Sequence, residues 1–445
     1  MSTNPTGENA DADLAPGISV FGLHTKARVQ PTHRRRGRHK VLGALGPGLI
    51  TGAADDDPSG IGTYSQMGAQ FGLAMLWTVP ISIPLAAAVE ELAARIGLAS
   101  GRGLASEIKQ NFPAPVLYAA TLLVAAANIF NIGADLGAMD ASLRLVIAIP
   151  YIPLLITIAV VLLVLEIFVK YHHYARLLRF LTISLLAYIV VLAAVHVDWT
   201  GVAKNIAIPH IKLTRDYATA VIAIFGTTIS PYLMFWQCSE EVEETEELKG
   251  AAKRVRGRIG PMRIDVIAGM TAAVFIMFAI MVATASTLGA HGITNIGTAD
   301  QAAQALKPLA GNLAGTLFAI GIVGTGALAV PVLAGSTAYA VAETLGWHEG
   351  LSRHFKEARG FFLVIVGAML IGLIMNFVGI NPIQALVYSA FFNGVTAPPL
   401  ILLMLILANK KKAMGSYRSG WVSNLIVGAA LLIMTVPFLV YLIPS

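Results

Sequence analysis

The chain has 445 residues, 56% hydrophobic and only 13% charged, about half the charged share of a soluble domain, so it reads as an integral membrane protein. Its one cysteine, Cys238, excludes an intramolecular disulfide framework and a cysteine-rich zinc site. The net charge of +6 implies no nucleic-acid partner, because the basic run from His33 to Lys40 stands directly before the first apolar segment and marks a membrane face.

Residues 1–40 read as a disordered basic tail, with no apolar run that would make a cleavable signal peptide. Eleven runs then reach the ~20 apolar residues that a helical span needs. They lie at 41–72, 73–98, 114–140, 146–169, 175–197, 217–246, 264–289, 311–342, 360–380, 382–408 and 421–443. With the N-terminus in the cytoplasm, all but five of the 31 Lys and Arg residues fall inside. The five outside are Arg144, Lys204, Lys212, Arg215 and Lys307. That asymmetry predicts a plasma (inner) membrane protein with its C-terminus outside. Spans 1–5 (residues 41–215) and 6–10 (216–409) are odd-numbered sets, so the halves are expected to be inverted repeats, with an eleventh helix in 410–445.

The first span contains LGPGLITGAADDDPSG, from Leu45 to Gly60. Asp55, Asp56 and Asp57 would each cost roughly 2.5–3.5 kcal/mol in hydrocarbon, and Pro58 removes a backbone donor. Such a break survives only where it is buried in protein or lines a wet cavity. The sixth span breaks likewise, at Gly226-Thr227-Thr228-Ile229-Ser230-Pro231-Tyr232. Interrupted segments at matching positions of two halves point to a transporter's substrate site. The donors at these breaks are carboxylate, hydroxyl, carbonyl and water, a hard set that suits Mg, Ca or Mn. Met234 lies a turn beyond Ser230 and is not counted as a ligand. Gly52, Ala53, Ser59, Gly60, Gly226 and Ser230 are expected to edge a cavity roomy enough for the waters that Mg²⁺ retains.

At these residues the chain resembles the NRAMP family of divalent metal transporters, whose DPGN and A-x-x-M-P-H motifs read here Asp57-Pro58-Ser59-Gly60 and Thr227-Thr228-Ile229-Ser230-Pro231-Tyr232. GPGLITG in span 1 and IGLASGRGLAS after span 2 are also similar. The resemblance implies an all-α, LeuT-type fold. It implies a metal held by Asp57 and the Thr227 carbonyl, with Gly60 replacing an asparagine ligand and Ser230 a methionine ligand. Loss of the thioether lowers the preference for softer transition metals. The family's two helix-6 histidines fall at Tyr232 and Gln237, and its D-L-A-E pattern reads Asp135-Leu136-Gly137-Ala138. DDDPSG with TTISPY is most similar to the NRAMP-related magnesium transporters. The expected function is therefore import of hydrated Mg²⁺ (and Mn²⁺) by alternating access, driven by membrane potential without proton coupling and with no cofactor. The alternatives are a proton-coupled Mn²⁺/Fe²⁺ importer and, further off, a LeuT-type organic-solute symporter. An enzyme is not expected, and no G-x-x-x-x-G-K-[ST] is present.

Successive helical residues point about 100° apart, so Asp57 is expected to ligate directly, while Asp55 and Asp56 bind ion-held waters, attract cations at the vestibule or hydrogen-bond the loosened backbone; Ser59 and Thr228 are counted with the metal-site residues. Asn128, Asn131 and Asp135 share one helical face and either line the ion path or knit helices together. Asn393, near Thr396, stands between the same alternatives. Glu90 and Glu91 stand near Arg95, and the i,i+4 spacing of Glu91 and Arg95 favours a structural pair over a relay; Glu166 with Lys170 has the same spacing and reads as structural. The acidic run from Glu240 to Glu247 reads as a solvated helix end paired with the basic loop Lys249 to Arg263, the alternative being an inner exit vestibule for cations or a weak metal sensor. His172 and His173 are expected at the membrane interface, and Pro398-Pro399 is expected to bend span 10. The partners implied are divalent metal ions and the lipid bilayer.

Overall fold

A computed structural model describes residues 51–52, 54–169, 183–247 and 255–443. The basic tail, Ala53, Lys170, His172, His173 and Lys249 lie outside the described residues. Among those described, all regular structure is helical. The principal helices are α1 (Pro58–Phe71), α2 (Thr78–Ser100), α3 (Leu104–Asn111), α4 (Ala114–Leu143), α5 (Tyr151–Phe168), α6 (Leu186–Ala194) and α7 (Trp199–Ala207). They are followed by α8 (Arg215–Thr228), α9 (Pro231–Glu247), α10 (Val255–Thr287), α11 (Ala314–Leu345), α12 (Arg359–Met375), α13 (Pro382–Asn409) and α14 (Trp421–Tyr441).

Among the described residues seven stretches are long and apolar enough to cross a bilayer, or nine when each of two sharply bent helix pairs is counted as one span. The expected eleven is not reached by these criteria. Residues 41–50 and 170–182 are not described, and the apolar α12 has 17 residues, just short of a comfortable crossing.

The core surrounds the two breaks. Asp57 is extended (ψ 170°) and caps α1, whose first residue is Pro58; proline at that position forfeits a donor that would be orphaned anyway. α8 stops at Thr228, Ile229 leaves the helical region, and Pro231 opens α9. The composite Arg215–Glu244 stretch is the innermost, 94% of its apolar window being buried, against 17% for α14. Around it α11 packs on α4, α13 on α4 and α8, and α2 on α9 and α10. Outward rows such as Ile152, Ile156, Val160 and Val164 on α5, or Leu425, Leu432, Val436 and Leu439 on α14, stay exposed. Apolar surface this extensive is stable only against lipid.

Several expectations change. A Cβ on Gly226 would lie 2.1 Å from the Ala390 carbonyl oxygen and 2.3 Å from the Gly394 nitrogen, and one on Gly52 would lie 2.5 Å from the Gly269 backbone. These two glycines let helices touch backbone to backbone; they do not edge a cavity. The acidic run begins buried: Glu240 and Glu241 are 4% and 2% exposed. Glu243 holds the amides of Leu351 and Ser352 and the Tyr339 hydroxyl, so a loop lies where solvent was expected. The anticipated basic partner is present, with Arg258 pairing with Glu244 and approaching Glu241 at 3.8 Å. Arg95 meets Glu91 at 3.1 Å as its spacing predicts. It also donates to the Tyr417 carbonyl and to the hydroxyls of Ser419 and Ser423 at the start of α14.

Candidate metal-ion site

The sequence starts α1 with Asp-Pro-Ser-Gly, and helix geometry then turns several donors onto one carboxylate. The Gly60 amide and the Ser59 hydroxyl each donate to Asp57 Oδ1 at 2.7 Å. From α4, Asn131 Nδ2 donates to Oδ2 at 2.9 Å. A carboxylate offers about four lone-pair sites, so these three donors leave room for one more partner. Asp57 also stands at the positive end of α1, where a carboxylate is favoured.

The second break comes within reach of the first. Ser59 Oγ and Thr227 Oγ1 are 3.4 Å apart. Ser230 Oγ folds back on its own helix, donating to the Thr227 carbonyl at 2.9 Å and the Gly226 carbonyl at 3.2 Å. Without a side chain, Gly60 lets Thr227 approach: a Cβ there would stand 3.2 Å from Thr227 Oγ1. Asp57, Ser59, Gly60, Thr227, Ser230 and Asn131 thus form one buried oxygen-rich cluster. Asp135 is buried near the Ser59 amide and within electrostatic reach of Asp57, without completing hydrogen-bond geometry. Asp55 and Asp56 are buried beside it, and Asp55 Oδ1 has no hydrogen-bond partner.

Other residues singled out from sequence point elsewhere. Thr228 bonds the Tyr64 hydroxyl at 2.9 Å and its own helix at Ile224, with the Met277 sulfur 3.9 Å away. Asn128 faces α11, at the Leu333 carbonyl and Thr337. Tyr232 donates to the Ala54 carbonyl at 2.8 Å. Gln237 accepts from Thr51 at 2.5 Å and donates to Glu241 at 3.1 Å. Asn393 is fully buried with neither side-chain atom partnered. Glu166 is buried, and its expected partner Lys170 is not described.

One residue was not picked out from sequence, and a second was read only together with its neighbour. Tyr64 stands seven residues after Asp57, the two-turn spacing that shares a helix face, and it reaches Thr228 across the break. Glu90 was grouped with its neighbour, yet adjacent helical residues cannot both face Arg95; Glu91 takes the arginine, and both Glu90 oxygens are buried without a hydrogen-bond partner.

Beyond the far end of α1 a cavity of ≈ 310 Å³ is lined by Gln66, Gln70, Asp216, Asn295 and Gln384 among others. The Gln66 amide bridges that end to a loop, donating to the Thr294 carbonyl and accepting from the Ile296 amide. On the α9 side Thr51, Gln237 and Glu241 form a hydrogen-bonded chain. Among the described residues no three His, Cys, Asp or Glu converge as a chelating cluster.

A family model described as "Natural resistance-associated macrophage protein-like" matches residues 48–443. The divalent metal cation transporter MntH of Klebsiella pneumoniae is 26% identical over 416 residues, spanning 90% of this chain and 94% of the relative. MntH of Yersinia pestis is 27% identical over 402 residues, spanning 87% and 91%. In structure, a manganese transporter of Eremococcus coleocola superposes with a TM-score of 0.69 at 18% identity, covering 89% of this chain and 85% of the other. The nucleobase-cation-symport-1 family transporter Mhp1 superposes with a TM-score of 0.56 at 13% identity, covering 88% and 92%. The last two likenesses establish the shared all-helical transporter fold.

Proposed function

The chain belongs to the natural resistance-associated macrophage protein-like family, and on that premise we propose that this membrane-integral divalent metal cation transporter carries hydrated Mg²⁺, with Mn²⁺ as a second cargo, by alternating access. The observation that carries the reading is the donor set on and around Asp57: carboxylate, hydroxyl, carbonyl and amide, with Ser230 where the resembled motif has a thioether. Hard oxygen donors favour Mg²⁺ and Mn²⁺ over softer metals. The two breaks fall at matching places in 41–215 and 216–409, which supports the inverted-repeat reading of the domains. The basic-residue asymmetry supports a plasma-membrane protein with a cytoplasmic N-terminus.

Transport is proposed to run on membrane potential without proton coupling. Tyr232 and Gln237 stand where the resembled family has histidines, and both are held in fixed hydrogen bonds. Ala138 replaces the glutamate of the helix motif. A divalent ion gains about 4.6 kcal/mol per 100 mV of inward-negative potential, enough for roughly thousandfold accumulation. A second reading, a proton-coupled Mn²⁺/Fe²⁺ importer, is favoured by the names of the relatives.

The deciding experiment is ²⁸Mg²⁺ and Mn²⁺ uptake into proteoliposomes under an imposed inward-negative potential, with internal pH recorded. Mg²⁺ entry without acidification, lost in Asp57→Asn, is expected. Entry of Mn²⁺ alone with acidification would establish the second reading instead.

A further inference from the structure

A cavity of ≈ 690 Å³ lies where α6 and α10 end and the short helix Lys307–Ala310 begins. It shares no lining residue with the cavity beside Gln66 or with the cluster around Asp57. Its frame is packed, since α6 lies against both α10 and Lys307–Ala310. Three basic side chains from three segments line it, His196, His291 and Lys307, with Ser286 and Gln304 beside them. No acidic residue is in its lining, and among the described residues no ion pair includes any of the three. The acids nearest in sequence are engaged elsewhere. Asp198 Oδ1 accepts from the Gly201 amide at 2.9 Å, and Asp300 Oδ2 accepts from Gln304 Nε2 at 3.1 Å. His291 Nδ1 lies 2.5 Å from the Thr287 carbonyl oxygen, so Nδ1 carries a proton and donates there. A bound anion favours the imidazolium, in which Nε2 donates as well. A neutral imidazole would instead offer Nε2 to a metal ion, but Lys307 in the same wall repels a cation and no lining carboxylate offsets it.

We infer that this cavity binds a phosphate group, and that the group is carried by an anionic phospholipid whose headgroup occupies the basic wall. The rest of the lining supports the lipid. Val195, Leu288 and Ile293 supply apolar surface inside the cavity. Around it, Leu186 and Val190 of α6 and Leu309 and Leu313 beyond Lys307 are exposed, as apolar side chains facing lipid are. Trp199, three residues after His196, is exposed as well, and tryptophan gathers at the level of the headgroups. A basic cavity between membrane helices, bordered by lipid-facing side chains and an interfacial ring, matches the chemistry of a phospholipid headgroup. Its volume is in the range of small-molecule sites.

The test measures binding of tritium-labelled phosphatidylglycerol to the purified full-length chain in non-ionic detergent, by scintillation proximity. Saturable binding is expected, displaced by unlabelled phosphatidylglycerol and poorly by the zwitterionic phosphatidylcholine. Lys307→Gln should weaken it about fivefold, the share of one lysine in anionic-lipid binding, and adding His196→Gln should weaken it further. Lys212→Gln, an exposed lysine outside the cavity, should leave it unchanged. Equal loss in Lys212→Gln, or none in Lys307→Gln, overturns the site. Displacement by inorganic phosphate at the concentration of the unlabelled lipid assigns the cavity to the free anion and overturns the lipid. Zn²⁺ binding that needs His196 and His291, with lipid binding indifferent to both, would make it a metal site and overturn the phosphate. If Lys307→Gln yields no folded protein, His196→Gln alone decides by the same comparison with Lys212→Gln.

Discussion

Replacing Asn131 by leucine tests the cluster without touching a proposed ligand. The change keeps the side chain's approximate volume and removes the Nδ2 donor that sits 2.9 Å from Asp57 Oδ2. A hydrogen bond to a charged group contributes about 1.5–3 kcal/mol, and loss of a residue that orients a ligand typically costs about 10–100-fold in metal affinity. The two ranges agree, since about 1.4 kcal/mol corresponds to tenfold. One effect runs the other way: without Asn131, an Oδ2 lone pair is freed for the ion. It should lose, because Oδ2 accepts no other hydrogen bond among the described residues, and a ligating carboxylate without its orienting donor is no longer held toward the ion. Mn²⁺ affinity by calorimetry is therefore expected to fall by about 10–100-fold, with uptake falling in parallel. Equal or tighter binding in a folded Asn131→Leu protein would refute the claim that Asn131 holds Asp57 in place.

Gly226→Ala should destabilise the protein and impair transport together, because the new methyl would meet the Ala390 and Gly394 backbones. Overpacking of this kind costs about 1–3 kcal/mol, and a melting curve identical to wild type would contradict it. Tyr232→Phe removes the donor to the Ala54 carbonyl, at a cost of about 1–3 kcal/mol; hydrogen exchange should accelerate around residues 51–57, and unchanged protection there would count against the contact. Ser230→Met combined with Gly60→Asn should shift selectivity toward Mn²⁺ and Cd²⁺ by adding a soft donor. An unaltered ion ranking in competition uptake would undo the ligand assignment at those positions.

Sequence was most informative where local chemistry left no alternative. Three aspartates before a proline cannot continue a membrane helix, and Asp57-Pro58 is indeed where α1 begins. Asn131 was placed on a polar face of its helix by spacing alone, but its bond to Asp57 depends on the packing of α4 against α1 and could not be read. Glycine misled because its two uses look alike in sequence: Gly60 admits Thr227 to the cluster, whereas Gly226 admits the backbone of α13. The acidic run misled for a related reason. Six glutamates predict solvent, yet Glu243 is occupied by a loop contributed more than a hundred residues later. Glu90 was hidden by its neighbour, because an adequate partner for one of two adjacent acids invites the assumption that it serves both.

Arg95 has a consequence for biogenesis. Its guanidinium binds Glu91 four residues away, while its other contacts are to Tyr417, Ser419 and Ser423, more than three hundred residues downstream. A ribosome adding about 5–20 residues per second completes those partners tens of seconds after α2. For that interval the arginine has one of its acceptors and waits for the rest. α14, which buries little of its own surface, is received at one end by a polar socket already assembled. The final helix is thus aligned by a docking point formed early in synthesis, and a lesion at Arg95 should surface as defective assembly of α14 before it surfaces in ion handling.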